Sequence, residues 1–257
     1  MFQPNVKIIE SQIQPTDRVL DIGGWAQPFN RANTVIDAMP YETRGWYKTL
    51  GMQDHLGEGP ECFDASRWIQ RDICDRSPFP FADKSFDYVI CSHVLEDIRD
   101  PLWVCSEIIR IGKRGYIEVP SRLCESTWNS LLRIAGAPHH RWLVDIKGNH
   151  IRFEMKYPLI HRKGLHLPSS TCCTLQPNEA IQYLFWESSF TYDEASLPMG
   201  SEDIEQRLRH YVDQNRRKIP FLKCIRWSIR TRWARIKKWI PPSCVPLLKS
   251  LRKFVLK

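Results

Sequence analysis

No Cys-x-x-Cys pair occurs anywhere in the chain. The nine cysteines, at 62, 74, 91, 105, 124, 172, 173, 224 and 244, are odd in number and scattered, which argues against a disulfide framework or a zinc ribbon. No set of metal ligands is read from the sequence. Cys91 in the apolar run YVIC and Cys105 in a helical pattern read as small buried hydrophobes, and a reducing cytoplasm fits. Also missing is any run of about 18 uncharged apolar residues, and the opening MFQPNVKIIESQIQPTDR has neither a basic n-region nor a continuous apolar h-region. The expectation is a protein neither membrane-spanning nor secreted by that route. Internal repeats and low-complexity blocks are absent too. Acids are nearly missing from one end: from Arg207 onward sixteen Lys/Arg accompany the single acid Asp213. Residues 1–206 carry 21 basic and 28 acidic side chains, so the whole formal charge of +8 belongs to the tail.

With 257 residues, 42% of them hydrophobic and 26% charged, the chain suits one large globular domain with an appendage. Val19-Leu20-Asp21-Ile22 is an apolar run with one acid, followed by Gly23-Gly24, and reads as a buried strand entering a tight turn. Thr34-Val35-Ile36-Asp37 repeats the design. Only eleven residues separate the two, Pro28 among them, so an intervening helix must be short or malformed. Further strands are predicted at Arg67–Gln70, Phe86–Cys91 and Gly115–Val119, with a helix opened by Pro101 and ending near Gly112. Ser126–Ala135 reads as a helix. WLVDI and IRFEM read as a hairpin about Lys147-Gly148-Asn149-His150, and a helix end with a last strand is expected around Leu184–Tyr192. The fold class is α/β, a Rossmann-like, mostly parallel sheet of about seven strands with helices on both faces, plus a basic α-helical C-terminal extension. The expected division is 1–195 for the main domain, with an acceptor segment at about 121–182, and 201–257 for the extension.

In such sheets ligands bind at the carboxyl ends of the strands, where Asp21, Asp37, Asp72, Ser92 and His93 fall. Taken singly, each acid is equally a helix cap or turn residue. Together, VLDIGG, VID, RDICDRSPFPFADKSFDYVICSHVLEDIRDP and RGYIEVPS resemble, in order and spacing over about Asp17–Ser121, the class I S-adenosylmethionine-dependent methyltransferases. The likeness is greatest to the bacterial branch with L-P-F-x-D-x-S-F-D and H-V-L-E-H patterns. The resemblance implies S-adenosylmethionine as cofactor, with Asp21, Gly23 and Gly24 forming the first loop. It implies Asp37 on the ribose hydroxyls, Asp72 and Ile73 at the adenine, and Ser92 and His93 at the methionine end. Glu96 and Asp97 read as acids at a helix N-terminus. Departures from the family are Trp25 and Gln27, which stand where further glycines are usual, and Asp97, which stands where the family often has His.

On the acceptor side, His139 and His140 of HHRW follow the fifth strand, with Glu118 and Glu125 nearby. His140 and His93 are the candidate catalytic groups; structural roles for both histidines stay open. An Asn-Pro-Pro-Tyr motif is absent, which argues against amino-nucleobase and glutamine acceptors. In the tail, Phe221, Ile225, Ile229, Trp233, Ile236 and Ile240 step along one helical face among lysines and arginines. That pattern suits an anionic membrane surface over 221–257, in competition with docking on the chain's own domain and with nucleic acid, which the tryptophan and isoleucine content makes unlikely. Relatives so arranged are associated with surface-glycan assembly. The implied acceptor is therefore a small molecule or glycan hydroxyl, met by a cytoplasmic enzyme peripheral to the inner membrane. A scaffold of the same fold without turnover is the reading from another class.

Overall fold

The computed structural model describes residues 1–217; the tail reading over 221–257 lies outside the described residues. The chain opens with helix α1 (Gln3–Gln12), then strands β1 (Val19–Ile22), β2 (Thr34–Asp37), β3 (Trp68–Gln70) and β4 (Tyr88–Ser92). Helix α2 (Pro101–Ile111) and strand β5 (Arg114–Pro120) follow. Residues 121–180 hold helix α3 (Arg122–Glu125), the two-residue strands β6 (Trp128–Asn129) and β7 (Ile134–Ala135), and the hairpin β8 (Trp142–Lys147) and β9 (His150–Met155). Strands β10 (Ile181–Glu187) and β11 (Thr191–Glu194) and helix α4 (Ser201–Asn215) complete the described chain.

Six strands form the main sheet in the order β10-β5-β4-β1-β2-β3, and every pairing is parallel except β10 with β5. The Rossmann-like, mostly parallel sheet predicted from the sequence is present, with six strands in place of about seven. Alternation along β1 and β4 sends Leu20, Ile22, Val89 and Cys91 to one face, and Val19, Tyr88 and Ile90 to the other. Helix α2 covers the first face with Val104, Cys105, Ile108 and Ile111, whose spacing makes one apolar stripe. Helix α1 covers the second with Val6 and Ile9.

Asp100 starts α2 by accepting the Trp103 N–H at 3.1 Å, with Pro101 in the first turn. Glu96 and Asp97, expected at a helix N-terminus, lie instead in the turn between β4 and Asp100. The eleven residues after β1 hold no helix, only turns, bends and an isolated bridge between Phe29 and Leu56. In place of a crossover helix, the loop leans on residues 45–56: Gly45 and Tyr47 donate to the carbonyls of Trp25 and Ala26 (2.8 and 3.1 Å), and Leu56 donates to Pro28 (2.8 Å).

Two expectations fail in the region after β5. Ser126–Ala135 is not a helix but the β6–β7 hairpin. The Asn129 side chain accepts the N–H groups of Leu131 and Leu132 (3.0 and 3.2 Å), and Arg133 adopts φ +59°, so a local side-chain turn wins over helix propensity. The stretch around Leu184–Tyr192 holds no helix end and two strands. Ser188, at φ +64°, breaks the chain after β10, and β11 leaves to pair with β9 in the three-stranded sheet β11-β9-β8. That sheet packs Trp142, Val144, Ile151 and Phe153 into the α2 side of the core. The hairpin turn of β8 and β9 falls where predicted, with Gly148 at φ +57°. Among the described residues, no helix is long and apolar enough to cross a membrane.

Candidate functional site

Strand order reverses at β1, whose neighbours are β2 and β4, so the carboxyl ends of β1 and β4 flank the switch point of the sheet. Asp21, Gly23, Gly24, Asp37, Ser92 and His93 all gather there.

The Asp21 carboxylate is buried and accepts the Phe29 N–H at 2.9 Å, which folds the loop back over β1. Gly24 is required beside it, because a Cβ there would lie 2.4 Å from Asp21 Oδ2. Gly23 sits at φ +73°, and a Cβ on it would meet Val94 at 2.3 Å; the space it leaves is filled by the turn after β4. Both oxygens of Asp37 hold loop backbone, Oδ2 taking the Trp25 N–H (3.0 Å) and Oδ1 that of Met39 (2.8 Å). Burial pushes the Asp21 carboxyl up to about 7, against the Phe29 hydrogen bond and with help from the Asp37 charge. Burial raises Asp37 as well.

In the unfolded chain Asp21 loses its proton near its ordinary 3.8, whereas the folded protein keeps it to about 7. The stability linked to that proton is complete below about pH 4 and lost as pH rises to 7. Asp21→Asn should flatten this part of the profile. Urea midpoints at pH 5 and 8 check it: the wild type should lose more on going to pH 8 than the variant, and equal losses would contradict the assignment.

Trp25 stacks on Trp46 with ring centroids 5.7 Å apart and donates its indole N–H to Thr43 (2.9 Å). Gln27 binds the Gln53 carbonyl (2.9 Å). The two loop residues that depart from the family pattern, Trp25 and Gln27, thus fasten the loop to the 41–56 segment. Asp72 and Ile73 lie past β3, Ile73 buried and Asp72 half exposed. Asp72 accepts the Cys74 N–H and pairs with Arg99 at 2.8 Å; the Cys74 hydrogen bond, with Arg99, holds its carboxyl below the usual range.

His93 ends β4 at φ +57°, a left-handed conformation uncommon outside glycine. It places Nε2 3.0 Å from Glu118 Oε1 and Nδ1 3.3 Å from Glu96 Oε1. Burial alone would lower the imidazole, but the carboxylates of Glu118 and Glu96 beside it outweigh burial and hold His93 up to about 9. Glu118 is fully buried on β5, opposite Ser92. It also accepts the Phe2 N–H at both oxygens (3.0 and 2.9 Å) and the Tyr116 hydroxyl. Burial opposes its charge, yet His93 and the nearby amino terminus draw its carboxyl down to about 2. Glu96 is buried and makes no well-formed hydrogen bond through either oxygen among the described residues, and Ser92 Oγ is likewise unpartnered.

The 139–142 segment docks on the same turn, with the Glu96 carbonyl accepting the N–H groups of Arg141 and Trp142 (2.7 and 3.1 Å). His140 points Nδ1 at Glu125 Oε1 (2.9 Å) and Nε2 at Asp97 Oδ1 (3.6 Å). Glu125 is buried, with Lys156 2.6 Å from its other oxygen. Tyr47, from the loop-covering segment, reaches this acidic turn: burial first, then Asp97 and Glu96, raise its phenol. Sequence reasoning singled out His93, His140, Glu118 and Glu125 but missed Tyr47, Glu96 and Asp97. The adjacency of LED to the strand end was the available signal for the two acids. Tyr47 carried none, because its position depends on how a turn-rich segment folds back.

A switch-point crevice beside β1, with Asp21 on β1 and Asp37 at the end of β2, on a mostly parallel sheet of this strand order, is the Rossmann-like methyltransferase fold. Within it the chain belongs to the family described as Methionine biosynthesis protein MetW, which matches residues 3–139. Among solved structures, the chain is similar to a putative methyltransferase from Bacillus halodurans C-125 (16% identity, TM-score 0.30, covering 46% of this chain and 51% of that one). Another is the YcgJ protein from Bacillus subtilis (18% identity, TM-score 0.32, 53% and 59%). A third is an S-adenosylmethionine-dependent methyltransferase from Methanosarcina mazei (20% identity, TM-score 0.32, 45% and 57%). The chain thus spans between half and three-fifths of the length of these structures. No curated protein matches it.

Proposed function

We propose that the protein is an S-adenosylmethionine-dependent methyltransferase that O-methylates a hydroxyl of a sugar or lipid-linked glycan at the inner membrane surface. The observation that carries the reading is the pair Asp21 and Asp37 at the switch point, with the loop between them folded onto their carboxylates. The cradle fits the cofactor. Each Asp37 oxygen accepts only one backbone N–H, which leaves lone pairs for ribose hydroxyls, and Ser92 Oγ is a buried polar atom without a partner among the described residues. Asp72 and Ile73 would meet the adenine, and Gly23 and Gly24 would line the methionine side. When bound, the cofactor supplies a methyl group made electrophilic by its sulfonium.

The protein's own work is to position the acceptor and take its proton. His93, held protonated to about pH 9, is a poor base at neutral pH and serves as a fixed cation between Glu118 and Glu96. His140 is the proton acceptor in this reading, with Glu125 2.9 Å from Nδ1 and Nε2 left for the acceptor side. Burial opposes its charge, but Glu125, Glu96 and Asp97 raise its imidazole above the ordinary value, so it acts as a base in the fraction of the protein that has lost this proton. The family match ends at residue 139, so the segment from His140 onward, which carries the acceptor contacts, lies past it. The role named in the family's description is therefore not carried over. The glycan acceptor and membrane surface rest on the sequence of the basic tail.

Calorimetry of the full chain with S-adenosylmethionine and its demethylated product tests the reading. Saturable binding is expected, and Asp37→Ala should weaken it by at least tenfold, about 1.4 kcal/mol. Absence of binding at millimolar ligand would sink the enzyme and leave a scaffold of the same fold. For the tail, sedimentation with anionic and neutral vesicles should show preference for the anionic ones, lost in a chain ending at Ser201.

A further inference from the structure

Asp97, His139 and His140 bring three ligand atoms, a carboxylate oxygen and two imidazole nitrogens, within 4.8 Å of one another. The sequence reading assigned no metal. We propose that these three side chains bind one divalent first-row transition-metal ion, of the Zn2+ or Fe2+ class, beside the methyl-transfer crevice.

The geometry is that of ligands awaiting a shared centre rather than of finished ion pairs. Asp97 Oδ1 lies 3.6 Å from His140 Nε2 and Asp97 Oδ2 lies 4.0 Å from His139 Nε2, both too long for hydrogen bonds. Two ligands about 2.1 Å from a tetrahedral ion stand roughly 3.4 Å apart, so closing on a metal needs only a few tenths of an ångström at Asp97 and His140. His139 has the larger distance to cover and the freedom to cover it, since two-thirds of its side chain is exposed.

Three further features single this cluster out. Asp97 Oδ1 is inaccessible to solvent yet has no hydrogen-bond partner among the described residues, an arrangement that a cation would satisfy. His140 Nδ1 lies 2.9 Å from the buried carboxylate of Glu125, an ion-pair contact without a well-formed hydrogen bond, and Nε2 faces Asp97, the order of groups found in carboxylate–histidine–metal chains. Glu96, buried and without a well-formed hydrogen bond, adds negative charge next to the cluster. Lys156 neutralises only the far oxygen of Glu125. Two imidazoles with one carboxylate select transition metals over Mg2+ or Ca2+, and three protein ligands leave positions open to water or an acceptor oxygen.

The metal site stands on the cluster alone. Its consequence for catalysis rests on the methyltransferase reading: with the ion bound, His140 would be a ligand in place of a base, and the ion would make an acceptor hydroxyl acidic enough to give its proton to solvent water.

The test uses the full chain, stripped by chelator and titrated with Zn2+ by calorimetry and with Co2+ by visible absorption, without cofactor. One ion per chain is expected, with a tetrahedral or five-coordinate Co2+ spectrum. His139→Ala, whose side chain is exposed and whose loss should leave the circular dichroism unchanged, should weaken binding at least tenfold. Glu125→Gln should weaken it by about 10- to 100-fold through the ring it orients. Binding that survives His139→Ala and Asp97→Asn unchanged, as adventitious cysteine sites would, overturns the proposal, as does no saturable binding. Because cofactor is absent, failure here leaves the S-adenosylmethionine result untouched, and the reverse holds.

Discussion

Glu118→Leu is expected to lower the free energy of unfolding by about 3–5 kcal/mol, the range found when one partner of a buried ion pair is removed. The substitution keeps the apolar bulk on β5 but strips the partner from four donors at once: His93 Nε2, the Phe2 N–H, the Tyr116 hydroxyl and the nearby amino terminus. Asn5, on α1, donates to the Tyr116 hydroxyl at 2.7 Å, so the loss should spread to α1. Urea unfolding followed by circular dichroism measures it, and a loss under about 1 kcal/mol would show that water replaces the carboxylate.

The same pair gives a pH signature. His93, raised to about 9, contributes stability that is complete below its ordinary 6.5 and fades as pH rises through 9. Glu118, lowered to about 2, contributes stability that is complete above its ordinary 4.5 and fades as pH falls toward 2. Both terms are present between pH 4.5 and 6.5. Glu118→Gln should bring the His93 imidazole down by one unit or more, since it removes the nearest opposite charge. NMR titration of the ring reads this directly, and an unmoved His93 would assign the shift to Glu96 alone.

Gly115→Ala should cost about 3 kcal/mol or more, at the upper end of overpacking penalties. An added Cβ would stand 2.0 Å from the Val89 carbonyl oxygen, on the neighbouring strand β4, and 3.0 Å from the Trp186 indole nitrogen. Neither can move away: Val89 is in mid-sheet, and Trp186 is buried, with its ring also against Gly112. Gly148→Ala is the control, because Gly148 has left-handed φ but open space around it. Its cost should be about 1–2 kcal/mol. If the two variants unfold at the same urea concentration, the close approach of β4, β5 and Trp186 is wrong.

Strands β1, β2, β4 and β5 were legible because short apolar runs carrying an acid, or stopped by proline or by the polar pair Ser92-His93, can be little else in a chain of this length. The crevice was legible for the same reason, since acids at successive strand ends fall on one edge of a parallel sheet. The region after β5 was not. Its failures, at Asn129 and at Ser188, come from single residues whose side-chain turn or positive φ overrides a helical pattern. The roles of Glu96 and Asp97 were misread because acids shortly before Pro101 look like helix starters. Only the fold brings His139 and His140 against them.

The main sheet is closed by contacts of very different reach. Leu20 and Thr34, paired across β1 and β2, are 14 residues apart, whereas the β5–β10 register joins residues 61 to 73 apart. Closing the longer loop costs roughly 1.4 kcal/mol more entropy. The β1–β4 register, which makes the switch point, joins residues 69 apart and carries the same cost, so only the β1–β2 edge of the crevice is closed by local contacts. A chain that has made only the β1–β2 contacts would hold half of the crevice, so a ligand of the switch point would stabilise the fold only after β4 has joined.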